Sequence, residues 1–134
     1  MPKRDLKDRG DLELWLEAFY RELLEDPEMH TLFLEVAGIQ LEEHLPRITD
    51  FWEQVLWQRG AYRGNPMDVH LELHRARPLR AELFARWLAT FERVGRAMFE
   101  GPVLETAIER AHSIARIMQM KINNLDRLRK ELNN

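Results

Sequence analysis

Apolar residues recur three and four positions apart along almost the whole chain, and that period belongs to helices. Leu12, Trp15, Leu16, Phe19, Tyr20, Leu23 and Leu24 keep it in the first stretch. Ile48, Phe51, Trp52, Val55 and Leu56 keep it from about Glu43 to Gln58. A third stretch carries Leu83, Phe84, Trp87, Leu88, Phe91, Val94 and Met98 on one face, and a fourth Leu104, Ala107, Ala111, Ile114, Ala115, Met118 and Ile122. Two shorter pieces, around Met29 to Val36 and from Met67 to about His74, fill the gaps. Nowhere do β-branched residues alternate with polar ones for long enough to make a strand. The expected fold class is all-α.

The helix boundaries are written in Pro, Gly and Asp. Asp11 is placed to cap the first helix, and Asp26-Pro27 ends its pattern. Pro46 fits only within the first turn of its helix. The segment from Gly60 to Pro66 is the richest turn sequence, after which Pro66 opens a short helix. Pro78 is expected to start the next helix, and Gly101-Pro102 to close one helix and begin the last. With 134 residues and no repeat or linker, the chain reads as a single domain over 1–134, in which residues 1–9 and 125–134 are expected to be peripheral or frayed.

Composition then removes whole classes of function. The 45% apolar and 32% charged fractions and the net charge of −3 are those of an ordinary globule. No stripe of Lys and Arg suggests nucleic acid. No apolar run approaches the about 18 residues of a membrane span, and the charged start, Lys3-Arg4-Asp5, leads into no signal-peptide stretch. A cytoplasmic location is the corresponding expectation. The absence of cysteine excludes disulfides, thiolate metal sites, iron–sulfur clusters, thiolate-ligated haem and covalent C-x-x-C-H haem attachment. Any metal or cofactor must therefore be held by carboxylates or by the five histidines, His30, His44, His70, His74 and His112.

Among these, His44 stands on the apolar side of its helix, one turn before Ile48. Taken alone, such a histidine reads as a hydrogen-bonded packing residue. His70 and His74 are spaced i, i+4 on one helical face; zinc uses that spacing, but with an acid and a third ligand that the neighbouring sequence does not offer. Tyr20 and Trp87 bring an O–H and an N–H into apolar stripes. Each is either a bulky core residue whose polar end reaches a carbonyl or water, or a donor to something polar lodged in the core. Tyrosine, histidine and tryptophan donors converging in a nearly dry interior would suit a diatomic ligand on a metal, which takes up negative charge.

Several motifs, in unbroken order over about residues 10 to 122, resemble the group III truncated haemoglobins. They are Phe19-Tyr20 followed by Leu23-Leu24-Glu25-Asp26-Pro27; Leu32-Phe33; and His44-Leu45-Pro46-Arg47-Ile48 running on to Phe51-Trp52-Glu53. Then come Tyr62-Arg63-Gly64-Asn65-Pro66-Met67 shortly before His70-Leu71, and Phe84, Trp87, Leu88 and Phe91. The glycine-pair motifs of the other truncated groups are not evident.

The resemblance implies a truncated, globin-like two-over-two helical sandwich around a non-covalent haem b. It implies His70 as the proximal iron ligand, Tyr20, His44 and Trp87 as the distal polar set, and Phe33, Ile48, Met67 and Phe84 as residues around the cofactor. The second ring nitrogen of His70 is expected to donate to a carbonyl one turn back, near Pro66 or Met67. His74 is then not a second ligand, and is placed near the haem edge with Arg75, Arg77 or Arg80, any of which could meet a propionate or form a solvated basic turn.

The implied function is ligation of O2, NO or CO, with high affinity and redox or peroxide reactivity rather than bulk transport. The enzyme alternative is NO dioxygenation or peroxidase-like turnover with an external electron donor, since no Gly-rich dinucleotide fingerprint is present. A haem-free helical module, or a zinc site at His70 and His74, would leave the convergence of Tyr20, His44 and Trp87 without a purpose.

Overall fold

A computed structural model describes residues 2–59 and 62–133. It contains the helices α1 (Arg9–Leu23), α2 (Pro27–His30), α3 (Leu41–Trp57), α4 (Pro66–Ala76), α5 (Ala81–Met98) and α6 (Pro102–Leu132). A π-helical turn, Thr31–Val36, continues α2. Among the described residues there is no strand. Gly60 and Ala61, at the head of the turn sequence, lie outside the described residues.

The helices form two layers. α1 pairs with α3 and α5 pairs with α6, while α1 also crosses α5 and α3 crosses α6; α4 lies against α6. Between the layers sits an aromatic cluster around Phe91. Its ring stacks on Trp15 (centroids 4.3 Å apart), on Trp87 (5.0 Å) and on Trp52 (5.2 Å), and meets Phe19 edge-on at 5.3 Å. Trp15 also donates its indole N–H to the Phe91 carbonyl at 3.2 Å, so α1 is tied to α5 by ring and by backbone. Gly95, one turn beyond Phe91, lets the two helices approach this closely. A Cβ there would stand 2.6 Å from Cζ2 of Trp15.

Capping corrects some of the expected boundaries. Asp8, not Asp11, is the N-cap of α1 and accepts the Asp11 N–H. Asp11 is instead buried, accepts the Lys7 N–H at 2.9 Å and is gripped by both guanidinium nitrogens of Arg4 at 2.6 Å. Pro78 does not start α5: the chain runs extended through Arg77 to Arg80 and the helix begins at Ala81. Leu79, in that linker, is buried and donates its N–H to a side chain of α4. Asp26 caps α2 by accepting the N–H groups of Glu28 and Met29, and its other oxygen takes Arg86 of α5 at 2.6 Å.

The two chain ends differ in how they are held. Residues 3–6 are docked rather than peripheral: Leu6 is only 4% exposed, and the Glu100 N–H donates to the Arg4 carbonyl. The Asp5 carboxylate accepts the N–H groups of Val103 (2.8 Å) and Leu104 (2.9 Å). It thus caps α6 from across the chain, in place of Gly101, which has φ 149° and no side chain to offer. At the other end α6 runs on to Leu132, well past Leu125, although most of its last turns are exposed.

Gly95→Ala is a sharp test of the inter-layer contact. In an ordinary helix the change gains about 0.5–1 kcal/mol of backbone stability. Here the new methyl meets an indole fixed between Phe91 and a hydrogen bond, and overpacking of that kind costs about 1–3 kcal/mol. The denaturation midpoint should therefore fall, and a midpoint at or above that of the parent protein would mean that Trp15 yields freely.

Candidate functional site

Four elements carry the residues singled out in the sequence. α1 contributes Tyr20, which the amphipathic period turns inward, and it is only 3% exposed. α3 contributes His44 and Ile48 from the face that also carries Trp52. The π-helical turn contributes Phe33, whose carbonyl accepts the Ile39 N–H at 3.0 Å. The wider turn re-aims this segment after the Asp26 cap, and single π turns occur mostly at functional places. α4 contributes His70.

Tyr20 Oη and His44 Nε2 share a hydrogen bond of 2.8 Å, with the rings edge-to-face at 5.2 Å. Phe33 meets the Tyr20 ring edge-on at 6.0 Å. Trp87 joins this group through apolar contacts: its ring stacks on Phe91 and takes the edge of Phe19, itself packed against Tyr20. Of the donors singled out in the sequence, Tyr20 and His44 are thus bonded to each other, and Trp87 is a half-buried neighbour one ring away.

His70 is half-buried, and its Nδ1 donates to the Pro66 carbonyl at 2.6 Å, one turn back on the same helix. The bond fixes the tautomer, leaving Nε2 with a free lone pair. Asn65 prepares this geometry by capping α4: its side chain accepts the N–H groups of Met67 and Asp68.

Electrostatics agrees with the packing. Burial pushes the Tyr20 phenol well above the usual range, so it is a neutral O–H donor. Burial also lowers the pKa of His44, helped by the charges of Arg47 and of His70. Burial lowers His70 as well, opposed in part by the Pro66 carbonyl. Both rings are therefore held toward the neutral form, the one in which imidazole can ligate a metal.

Ile48, Phe33 and Phe84 are half-covered apolar side chains packed on the core, and Met67, one turn before His70 on α4, is half-buried. Burial raises the pKa of the Tyr62 phenol, opposed in part by the charge of Arg47. Tyr62 in turn packs edge-on against Phe51 at 5.4 Å.

His74 is not at an open edge with the neighbouring arginines. It is buried, its Nε2 donates to Asp126 of α6 at 2.8 Å, and its Nδ1 accepts the Leu79 N–H at 2.9 Å. Neither nitrogen is left for a metal shared with His70, and among the described residues no group of three or more His, Asp or Glu could hold an ion. Arg80 turns away to pair with Glu28 and Glu82. The His74–Asp126 pair carried no local signal, because its partners are 52 positions apart.

A two-layer all-helical chain with a Tyr20–His44 hydrogen bond on α1 and α3 and a half-buried His70 on α4 fits the class of small globins. A search of family models finds no match. A group 3 truncated hemoglobin of Campylobacter jejuni is 30% identical over 103 residues, covering 75% of this chain and 79% of that protein. The crystal structure of the group III truncated hemoglobin from the same organism superposes with a TM-score of 0.81 at 26% identity, covering 90% of this chain and 94% of that one. The chain belongs to the group III truncated haemoglobins. Among the described residues no helix is long and apolar enough to cross a membrane.

The depressed His44 gives a pH signature in the cofactor-free protein. Its pKa lies below the ordinary 6.5 in the folded state and near it when unfolded, so the unfolded chain binds the proton more readily. Stability should be fully present above about pH 6.5 and decline on acidification until the folded pKa is passed. The carboxylates held down by arginines, such as Asp11, contribute their losses only at lower pH. His70, held low in the same way, shares this decline, so His44→Gln should lessen but not remove it between about pH 7 and 5, measured as urea midpoints across that range. An unchanged slope would mean that His44 is not held neutral by its surroundings.

Proposed function

We propose that the chain binds a non-covalent haem b through Nε2 of His70 and uses it to ligate O2 or a similarly small gas. The observation that supports this most is the His70–Pro66 hydrogen bond, which leaves a neutral imidazole with one free lone pair in a largely apolar setting. The donor chemistry fits: imidazole is a common haem ligand, there is no cysteine to compete, and Phe33, Ile48, Phe84 and Met67 are apolar residues left partly uncovered that a porphyrin would cover. Haem held there supplies an iron that takes a diatomic ligand and shifts electron density onto it.

The chain's own residues then decide which ligand is favoured. Tyr20 and His44 satisfy each other in the ligand-free protein, so a ligand entering the distal space must offer an acceptor good enough to replace that bond. An electron-rich ligand does; an apolar one does not. Tyr20, a buried neutral phenol, is the principal donor, and His44 either adds a second bond or moves aside as the ligand enters. Trp87 carries an indole N–H on the neighbouring helix and is the third member of the set. Three donors of this kind favour slow release and redox reactivity over bulk transport, with an external electron donor for any turnover.

Two measurements test this reading. His70→Ala should abolish the five-coordinate ferrous haem spectrum, and a normal spectrum in that variant would remove the ligand assignment. Tyr20→Phe should speed O2 release by roughly 10- to 100-fold, the worth of a hydrogen bond of about 1.5–3 kcal/mol to a charged acceptor, while CO release changes far less. Equal effects on the two gases in stopped-flow release would show that Tyr20 does not donate to the ligand. With its donors intact the protein should release O2 more slowly than about one per second. Release at tens per second, with no reaction toward NO or peroxide, would identify a carrier instead.

A further inference from the structure

α4 carries His70, yet little of it is buried. Asp68, Val69, Glu72, Arg75 and Ala76 are exposed, and His74 is its one fully buried side chain. A buried imidazole on an otherwise half-covered helix is costly unless both ring nitrogens are satisfied. Both are. Nδ1 accepts the N–H of buried Leu79, so the ring proton is on Nε2, which donates to Asp126. One ring thereby joins α4, the extended linker into α5, and the distal part of α6.

Pro66, His70 and His74 follow one another at intervals of four along one face of α4. The Pro66 carbonyl fixes the orientation of the His70 ring within the helix, but nothing in that bond fixes the helix within the protein. The roll of α4 about its own axis has to be set elsewhere. Side chains reach a radius of about 5–6 Å, so a roll of roughly 10° carries an imidazole nitrogen sideways by about 1 Å. Metal–ligand distances tolerate only about 0.2 Å. A ligand on a thinly buried helix therefore needs a lock, and the lock visible on the same face is one turn away.

We infer that His74 and Asp126 are a positioning pair that holds α4 at the roll where His70 meets the haem iron. The inference rests on the haem reading above. It also gives the end of α6 a purpose: the exposed turns beyond Leu125 carry the carboxylate that locks the proximal helix.

The test compares the parent protein with Asp126→Ala, Asp126→Asn, His74→Gln and His70→Ala, each loaded with haem. Three quantities are read: the iron–histidine stretching band of the ferrous form by resonance Raman, the rate of haem transfer to excess apomyoglobin, and the thermal midpoint of the cofactor-free protein. Asp126→Ala and His74→Gln should lose haem about 3- to 10-fold faster and shift or broaden the iron–histidine band. Asp126→Asn keeps an oxygen that accepts the same Nε2–H and should stay within about 2-fold of the parent, with the band in place.

Parent-like band and haem transfer in Asp126→Ala would overturn the inference, as would a lowered thermal midpoint with an unmoved band, which marks a purely structural contact. If His74→Gln does not fold, the two Asp126 variants decide alone. His70→Ala separates the two levels. If it retains the parent haem spectrum, the haem reading fails and the positioning pair with it; if it loses that spectrum while Asp126→Ala is unchanged, only the positioning pair fails.

Discussion

The protein depends on the ring of Phe91. Three indoles, from α1, α3 and α5, stack on it, and Phe19 closes the remaining side edge-on. Such rings bury large apolar areas and prefer defined offsets, so they fix orientation as well as supply cohesion. The cluster sets how far α1 stands from α5, and with that distance the position of Tyr20, one residue after Phe19. Gly95 is the local condition for it, because any side chain there would hold Trp15 away.

Around this apolar centre several polar side chains are hydrogen-bonded to specific partners. Tyr20 bonds His44, His70 bonds the Pro66 carbonyl, and His74 bonds Asp126 and the Leu79 N–H. These pairs differ in what they can give up. The His70 bond leaves one nitrogen free and is compatible with a metal on the other. Among the described residues the side chains of Tyr20 and His44 are hydrogen-bonded to each other, a bond either group can exchange for another polar partner. His74 has nothing spare, which makes it a fixture. Three histidines on the same short chain are thus separated by their hydrogen bonds into three distinct chemical situations.

Much of this was legible beforehand. The helical period fixed the class and most elements, since a 3.6-residue repeat of apolar side chains has few other uses. The inward position of Tyr20 and His44 and the carbonyl one turn before His70 followed from helical geometry alone. Boundaries were harder: Asp11 suits a cap by residue type, but the helix starts earlier, Asp8 takes the cap, and Asp11 is held by Arg4 instead. Pro78 looked like a helix start because proline suits a first turn, but α5 begins only at Ala81, after buried Leu79 has bonded His74 of α4.

What the sequence determined by itself, then, is whatever repeats or acts locally: helices, their apolar faces, the caps within reach of a turn, the lack of thiol chemistry, and a set of motifs shared with one family. Tertiary structure alone decided the pairings across distance. Asp5 caps a helix that begins nearly a hundred residues later, Arg9 reaches Asp50 and Glu53 on α3, and Asp126 finds His74 across 52 positions. A side chain's period tells which way it faces; its partner is chosen only when two helices have packed, because hydrogen bonds form over about 3 Å and no local pattern carries that distance.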